Sequence, residues 1–98
     1  MAQFDVHKAS SGRGYLMVCQ NILLDGLESR VVVPLLPMSA FRPAARLHPT
    51  FSFKGADVFM STHQIFAIPT MRLGPIVGSL AQERYAIANA IDMLWSGV

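Results

Sequence analysis

Three histidines, His7, His48 and His63, are the side chains in this sequence best suited to move a proton or hold a metal near neutral pH. They fall in three different segments, with no carboxylate or cysteine at ligand spacing, so the sequence assembles no metal site from them. The acids Asp5, Asp25, Glu28, Asp57, Glu83 and Asp92 are scattered too. A general acid–base pair would need the fold to bring two of them together. Asp25 and Asp57 read as turn residues, and Glu83 as an acid in the first turn of a helix. The stretch "GRG" at 12–14 lacks the third glycine, the preceding strand and the following helix of a nucleotide loop. No Gly-x-Ser-x-Gly elbow occurs. Cys19, inside the apolar run "YLMVCQ", has no charged neighbour to activate it and reads as a buried small hydrophobe. The chain therefore reads as a binding protein without catalysis, cofactor or metal.

Composition points the same way. Of the 98 residues, 52% are hydrophobic and 14% charged, against a norm of about 25% charged. One small domain spanning 1–98 cannot hide that much apolar surface in its own core, and self-association is the natural outlet. Eight Lys and Arg against six Asp and Glu give a net charge of +2, too weak to hold a nucleic acid by electrostatics. Arg42 and Arg46, in "RPAARLH", come nearest to a basic cluster and read as a solvated loop. A single cysteine makes no internal disulfide, as befits a reducing cytoplasm. No secretory leader is visible in "MAQFDVHK", and "VVVPLLPM" is too short to span a membrane.

These residues must be positioned by short strands and one helix. "QFDVHK" alternates, with Phe4 and Val6 on one face and Asp5 and His7 on the other. "ASSGRG" is a loop, and "YLMVCQNILL" suits a strand buried on both sides that leaves the sheet near Leu23 and Leu24. "DGLES" is a turn. "RVVVPLL" is a β-branched strand in which Pro34 calls for an edge or a bulge. After the loop "PMSAFRPAAR", "TFSFK" places Phe51 and Phe53 on one face and Ser52 and Lys54 on the other. "KGAD" turns into "VFMST", "QIFAIPTMRL" forms a strand interrupted by Pro69, and "GPIVGS" punctuates the chain. From Ser79 the period becomes helical, with Ser79 and Gln82 at capping-box spacing. Leu80, Ile87, Ile91 and Leu94 share one stripe, with Arg84 at its start and Met93 nearly opposite. Trp95 flanks the stripe about 40° from Ile91, and Asp92 and Ser96 project toward solvent. Many short strands and a terminal helix imply a small, mostly antiparallel barrel or curled sheet.

In order and spacing, "QFDVHK", "YLMVCQNILLD", "SRVVVPL", "LHPTFSF", "MST" with "AIP", and the closing "NAIDMLWSGV" resemble the CcdB toxins of bacterial toxin–antitoxin modules. The resemblance covers nearly the whole chain and implies a mainly β fold: a small, partly open antiparallel β-barrel of the Src-homology-three type with a C-terminal α-helix. It also implies a cytoplasmic homodimer that binds the A subunit of DNA gyrase and holds the enzyme in its cleaved-DNA state. The implied partner is a cognate antitoxin with a disordered C-terminal segment, through which alone the toxin would reach operator DNA and repress the shared operon. Carried over position by position, the gyrase contact falls on Leu23, Leu24, Asp92, Trp95, Ser96, Gly97 and Val98. The best-known member has its tryptophan where Ser96 stands here. That offset of one residue turns the aromatic by about 100°, so Trp95 faces either the barrel or solvent. A MazF-like endoribonuclease on the same fold is the alternative, and Arg13, Arg30 and His48 are the groups it could draw on. A further alternative is a non-toxic chromosomal homologue acting as a peptide-binding module.

Overall fold

In a computed structural model that describes residues 3–9, 14–20 and 26–97, seven strands form one antiparallel sheet. The strands are β1 (Asp5–Lys8), β2 (Tyr15–Val18), β3 (Ser29–Pro37), β4 (Thr50–Phe53), β5 (Ala56–Met60), β6 (Phe66–Pro69) and β7 (Ile76–Ser79). Among the described residues a single α-helix, α1 (Arg84–Ser96), follows a 3-10 turn over Ala81–Glu83. The strands run in the order β4-β5-β3-β2-β1-β7, and β6 also pairs with β3.

The β4–β5 hairpin shows most directly how the sequence dictates the fold. Phe53 pairs with Ala56, leaving Lys54 and Gly55 as a two-residue turn with φ of 51° and 81°. Positive φ at both positions is what a hairpin turn of matching twist requires. Phe51 and Phe53 are buried while Ser52 and Lys54 are exposed, as the alternation demands. Asp57, expected in a turn, instead pairs with Ser52 within the ladder.

The two ends of the sheet meet. β4 and β7 lie at opposite ends of the strand order, yet a Cβ placed on Gly78 would sit 2.7 Å from the Phe53 ring. Tyr15 packs edge-on against the same ring, with centroids 5.0 Å apart. The sheet thus curls into a partly open barrel closed by side chains. Val6, Met17, Val33, Leu35, Phe51, Phe53, Val58 and Met60 fill it, and Leu80, Ile87 and Ala90 join the same core from the helical side.

Several local expectations are corrected. Pro34 lies within the longest strand, opposite Leu16 of β2, and not on an edge. Along its other side β3 pairs with β6 through Val32 and with β5 from Leu35 onward. An extended residue aims its nitrogen and carbonyl to the same side, and the Pro34 carbonyl accepts from the Ser61 amide at 2.9 Å. The missing N–H therefore falls at the handover from one neighbour to the next, where no ladder bond is lost. "GPIVGS" is not mere punctuation, since Ile76–Ser79 forms β7 against β1. Ser79 does not open the helix through Gln82; it closes β7, and its hydroxyl accepts from the Ala81 amide at 3.2 Å. His7 is buried, contrary to its place on the polar face, because the register slips between Val6 and His7. β2 ends at Val18, and the expected departure of the chain at Leu23 and Leu24 lies outside the described residues.

Cys19 follows β2, half-buried, with its backbone N–H and its thiol both directed at the Val31 carbonyl, at 3.1 and 3.6 Å. Burial pushes the thiol up to about 11, partly offset by the backbone hydrogen bond it receives. The thiolate is the reactive form, so labelling of the folded protein by a thiol reagent at neutral pH should run at least about tenfold slower than after denaturation. Equal rates would place the thiol in solvent.

Candidate target-binding site

The end of α1 gathers the described residues of the expected contact. At about 100° per residue, Ile87, Ala90, Ile91 and Leu94 make one stripe. Ile87 and Ala90 are fully buried, while Ile91 and Leu94 are half-buried. Trp95 projects roughly 80° from Ile87 on this wheel, beyond the reach of the core, and is 73% exposed. The offset of one residue therefore turns the indole to solvent. Asp92 and Ser96 follow on the same exposed side, about 60° and 100° further round. Met93, on the opposite flank, is half-buried.

The helix ends on a specific device. Gly97 adopts φ 72°, and its N–H donates to the Met93 carbonyl at 2.9 Å. That left-handed cap favours glycine because a Cβ would be strained there. The Ser96 hydroxyl donates to the Asp92 carbonyl at 2.7 Å, closing the last turn from outside. No basic residue occupies this turn, although cations are what a helix C-terminus favours. Asp92 adds its charge to the negative end of the dipole, an arrangement that costs about 0.3–1 kcal/mol. The result is an exposed tip carrying an indole, a carboxylate and free carbonyl character, suited to a partner surface with an apolar pocket and basic groups. Leu23, Leu24 and Val98 lie outside the described residues. Thus Asp92, Trp95, Ser96 and Gly97 converge, and the expected strand contribution to the contact is not described.

Of the groups considered for catalysis, Arg30 and His48 are each held by hydrogen bonds. The Arg30 guanidinium is buried and donates to the carbonyls of Leu27 and, at 3.0 Å, Ser29. Arg13 lies outside the described residues. His48 is buried and hydrogen-bonded to His63 at 2.8 Å, a pairing no local spacing foretells. The His7 Nδ1–H donates to the Gly74 carbonyl at 2.8 Å, and its buried Nε2 has no partner among the described residues. Among the described residues no three His, Cys, Asp or Glu side chains gather as for a metal. No helix among them is long and apolar enough to cross a membrane.

Three solved structures share this architecture. A mycobacterial endoribonuclease in complex with its cognate antitoxin superposes with a TM-score of 0.79 at 12% identity, covering 97% of this chain and 94% of the other. The Mycobacterium tuberculosis toxin MazF-mt6 gives 0.77 at 18% identity, over 93% and 95%. A second mycobacterial endoribonuclease structure gives 0.77 at 13%, over 97% and 90%. At such identities the likeness establishes the fold. It also corrects the expectation of a protein without catalysis: endoribonucleases are built on this same barrel, so a binding-only reading does not follow from the architecture. No curated protein matches the sequence. The family model described as CcdB protein matches residues 3–97. With the curled antiparallel sheet and terminal helix in place, that match over nearly the whole length makes the chain a member of the CcdB family, a toxin of the toxin–antitoxin type.

Proposed function

We propose that this toxin binds the A subunit of DNA gyrase through the exposed end of α1 and stabilises the cleaved-DNA complex. The single observation that carries this reading is the exposure of Trp95 beside Asp92 and Ser96 on a capped helix end that the core does not use. Large aromatics left in solvent at a well-ordered helix end are the residues that dominate binding energy when a pocket receives them. Leu23, Leu24 and Val98 complete the proposed contact. In this reading the protein is a cytoplasmic homodimer, neutralised by a cognate antitoxin whose disordered C-terminal segment wraps it, and it reaches operator DNA only through that antitoxin. An antitoxin complex solved on the same fold supports the second partner. The exposed apolar side chains Leu27, Phe66, Met71 and Ile76 support self-association. Sedimentation at micromolar concentration should therefore return the mass of two chains, and a purely monomeric boundary would contradict the dimer.

Deleting residues 96–98 tests the contact. The deletion removes the Gly97 cap and no fully buried side chain among the described residues, so stability should fall by about 1 kcal/mol, a melting shift of about 4–8 °C for a domain this size. Affinity for the gyrase A subunit should weaken by at least about 2 kcal/mol, roughly thirtyfold. Unchanged gyrase affinity in a folded truncation would sink the proposal. RNA cleavage is the second reading, favoured by the fold shared with endoribonucleases. Degradation of RNA by the purified protein, undiminished by the truncation, would establish it instead.

A further inference from the structure

His48 and His63 form a relay whose protons can be assigned from one end. The Ala44 amide donates to His48 Nδ1 at 2.9 Å, so that nitrogen carries a lone pair. The neutral ring must then hold its proton on Nε2, which faces His63 Nδ1 at 2.8 Å and donates to it. His63 in turn keeps its proton on Nε2, toward solvent, where its side chain is exposed. The same turn is closed by the His48 amide, which donates to the Ala44 carbonyl at 2.8 Å. The Phe41 ring stands edge-on to both imidazoles, with centroids 5.4 Å from His48 and 5.8 Å from His63, and Phe59 packs beneath at 5.8 Å from His48.

A proton added to His48 breaks this chain. A proton on His48 Nδ1 meets the Ala44 N–H, donor against donor. Switching His48 to its other tautomer only returns the clash to Ala44. A donor facing a donor loses its hydrogen bond, so the amide of the exposed Ala44 is freed to water while the buried His48 ring loses its partner. We infer that the His48–His63 pair is a proton-operated latch: it holds the loop from Phe41 to His48 closed at neutral pH and releases the Ala44–His48 turn when His48 takes up a proton.

The surroundings fit such a latch. Among the described residues His63 is the titratable group in contact with His48; Phe41 and Phe59 offer only rings, and no carboxylate is there to stabilise an imidazolium. Arg42 and Arg46, on the loop itself, are exposed. Ala86 and Asn89, which line a shallow pocket with Arg46 and Pro49 on the α1 side, do not titrate. Burial, reinforced by the neighbouring His63, holds His48 below the ordinary imidazole value of 6.5. A depressed folded value means that the unfolded chain binds the proton more readily. The stabilisation is therefore full above about 6.5 and is lost as pH falls from there through the folded value. The Thr62 hydroxyl, donating to the Leu47 carbonyl, does not titrate and keeps the far end of the loop docked. Release is thus local.

Amide exchange of the whole protein, read by nuclear magnetic resonance from pH 8 to pH 5 and corrected for intrinsic rates, tests the latch. Protection of the Ala44 amide should be constant above about 6.5, the value of the released imidazole, and fall from there toward the folded value by up to about tenfold per pH unit, the slope of one coupled proton. The amide of Val33, in the middle of β3, should stay protected throughout. In His48→Asn, Oδ1 can take the place of Nδ1 as acceptor, and the Ala44 protection should become independent of pH. Flat wild-type protection would overturn the inference. So would parallel loss at Val33, which reports global unfolding, or an undiminished slope in the His48→Asn protein. Should that variant fail to fold, the wild-type His48 ring resonance decides: its midpoint must fall below the pH at which Ala44 protection begins to drop, and a midpoint at or above that onset refutes the latch.

Discussion

Phe59→Ala should cost about 3–5 kcal/mol of folding stability, the range for removing a fully buried aromatic ring. Phe59 has no exposed surface, yet it lies outside the barrel core. In β5 its neighbours Val58 and Met60 point into the barrel, so alternation sends Phe59 to the outer face. There it meets Phe41 edge-on at 4.8 Å and the His48 ring at 5.8 Å. The chain thus buries a second, smaller apolar layer beneath the loop that follows β3. Denaturant titration should show a lower midpoint with an unchanged slope, because the barrel itself remains cooperative. A loss below about 1 kcal/mol would mean that the outer layer collapses to fill the gap or contributes little.

Gly74→Ala should be nearly as damaging, although it adds a single methyl group. A Cβ at Gly74 would strike the Lys8 carbonyl oxygen, a backbone atom with no rotamer to move away. Relief requires β1 and the segment leading into β7 to separate. That motion threatens the Lys8 amide bond to the Pro75 carbonyl, 2.9 Å, and the His7 Nδ1 bond to the Gly74 carbonyl, 2.8 Å. Overpacking costs about 1–3 kcal/mol and a stranded buried donor about 1–3 more, so a loss of roughly 3 kcal/mol is expected. Gly26→Ala is the control, since a Cβ there meets nothing within 4 Å, and thermal melting should hardly change. Equal melting temperatures for the two variants would contradict the close approach.

Those two sites mark where the sequence can be read and where it cannot. The β4–β5 hairpin is legible because everything it needs is local: alternating phenylalanines and a Lys-Gly turn. The helical stripe through Ile87, Ile91 and Leu94 is legible for the same reason. β7 is not, because Gly74 and Gly78 look like loop residues until their distant neighbours are known. One is glycine for the Lys8 backbone and the other for the Phe53 ring. Ser79 misleads likewise, being the end of a strand paired with Asp5 and not the cap of a helix. In the candidate site, the resemblance supplies Asp92, Trp95, Ser96 and Gly97 but not the direction of the indole: Trp95 sits at the margin of the stripe, where only the packing of Ile91 and Leu94 decides which way it turns. The His48–His63 contact joins residues 15 apart, a separation no helical or strand period makes visible.

β1 acquires its second neighbour only from the far end of the chain, through Asp5 opposite Ser79 and the Leu80 amide on the Phe4 carbonyl. During synthesis, the strand made first must therefore wait until β7 has left the ribosome before its outer edge is covered. Such long-range pairing is slow, on the order of milliseconds to seconds in barrels of this kind. A nascent chain lacking those residues has no completed barrel, and it also lacks the helix end that carries Trp95. Products that stop short of β7 are consequently left with an uncovered β1 edge and an incomplete core, and are expected to be unstable on this topology.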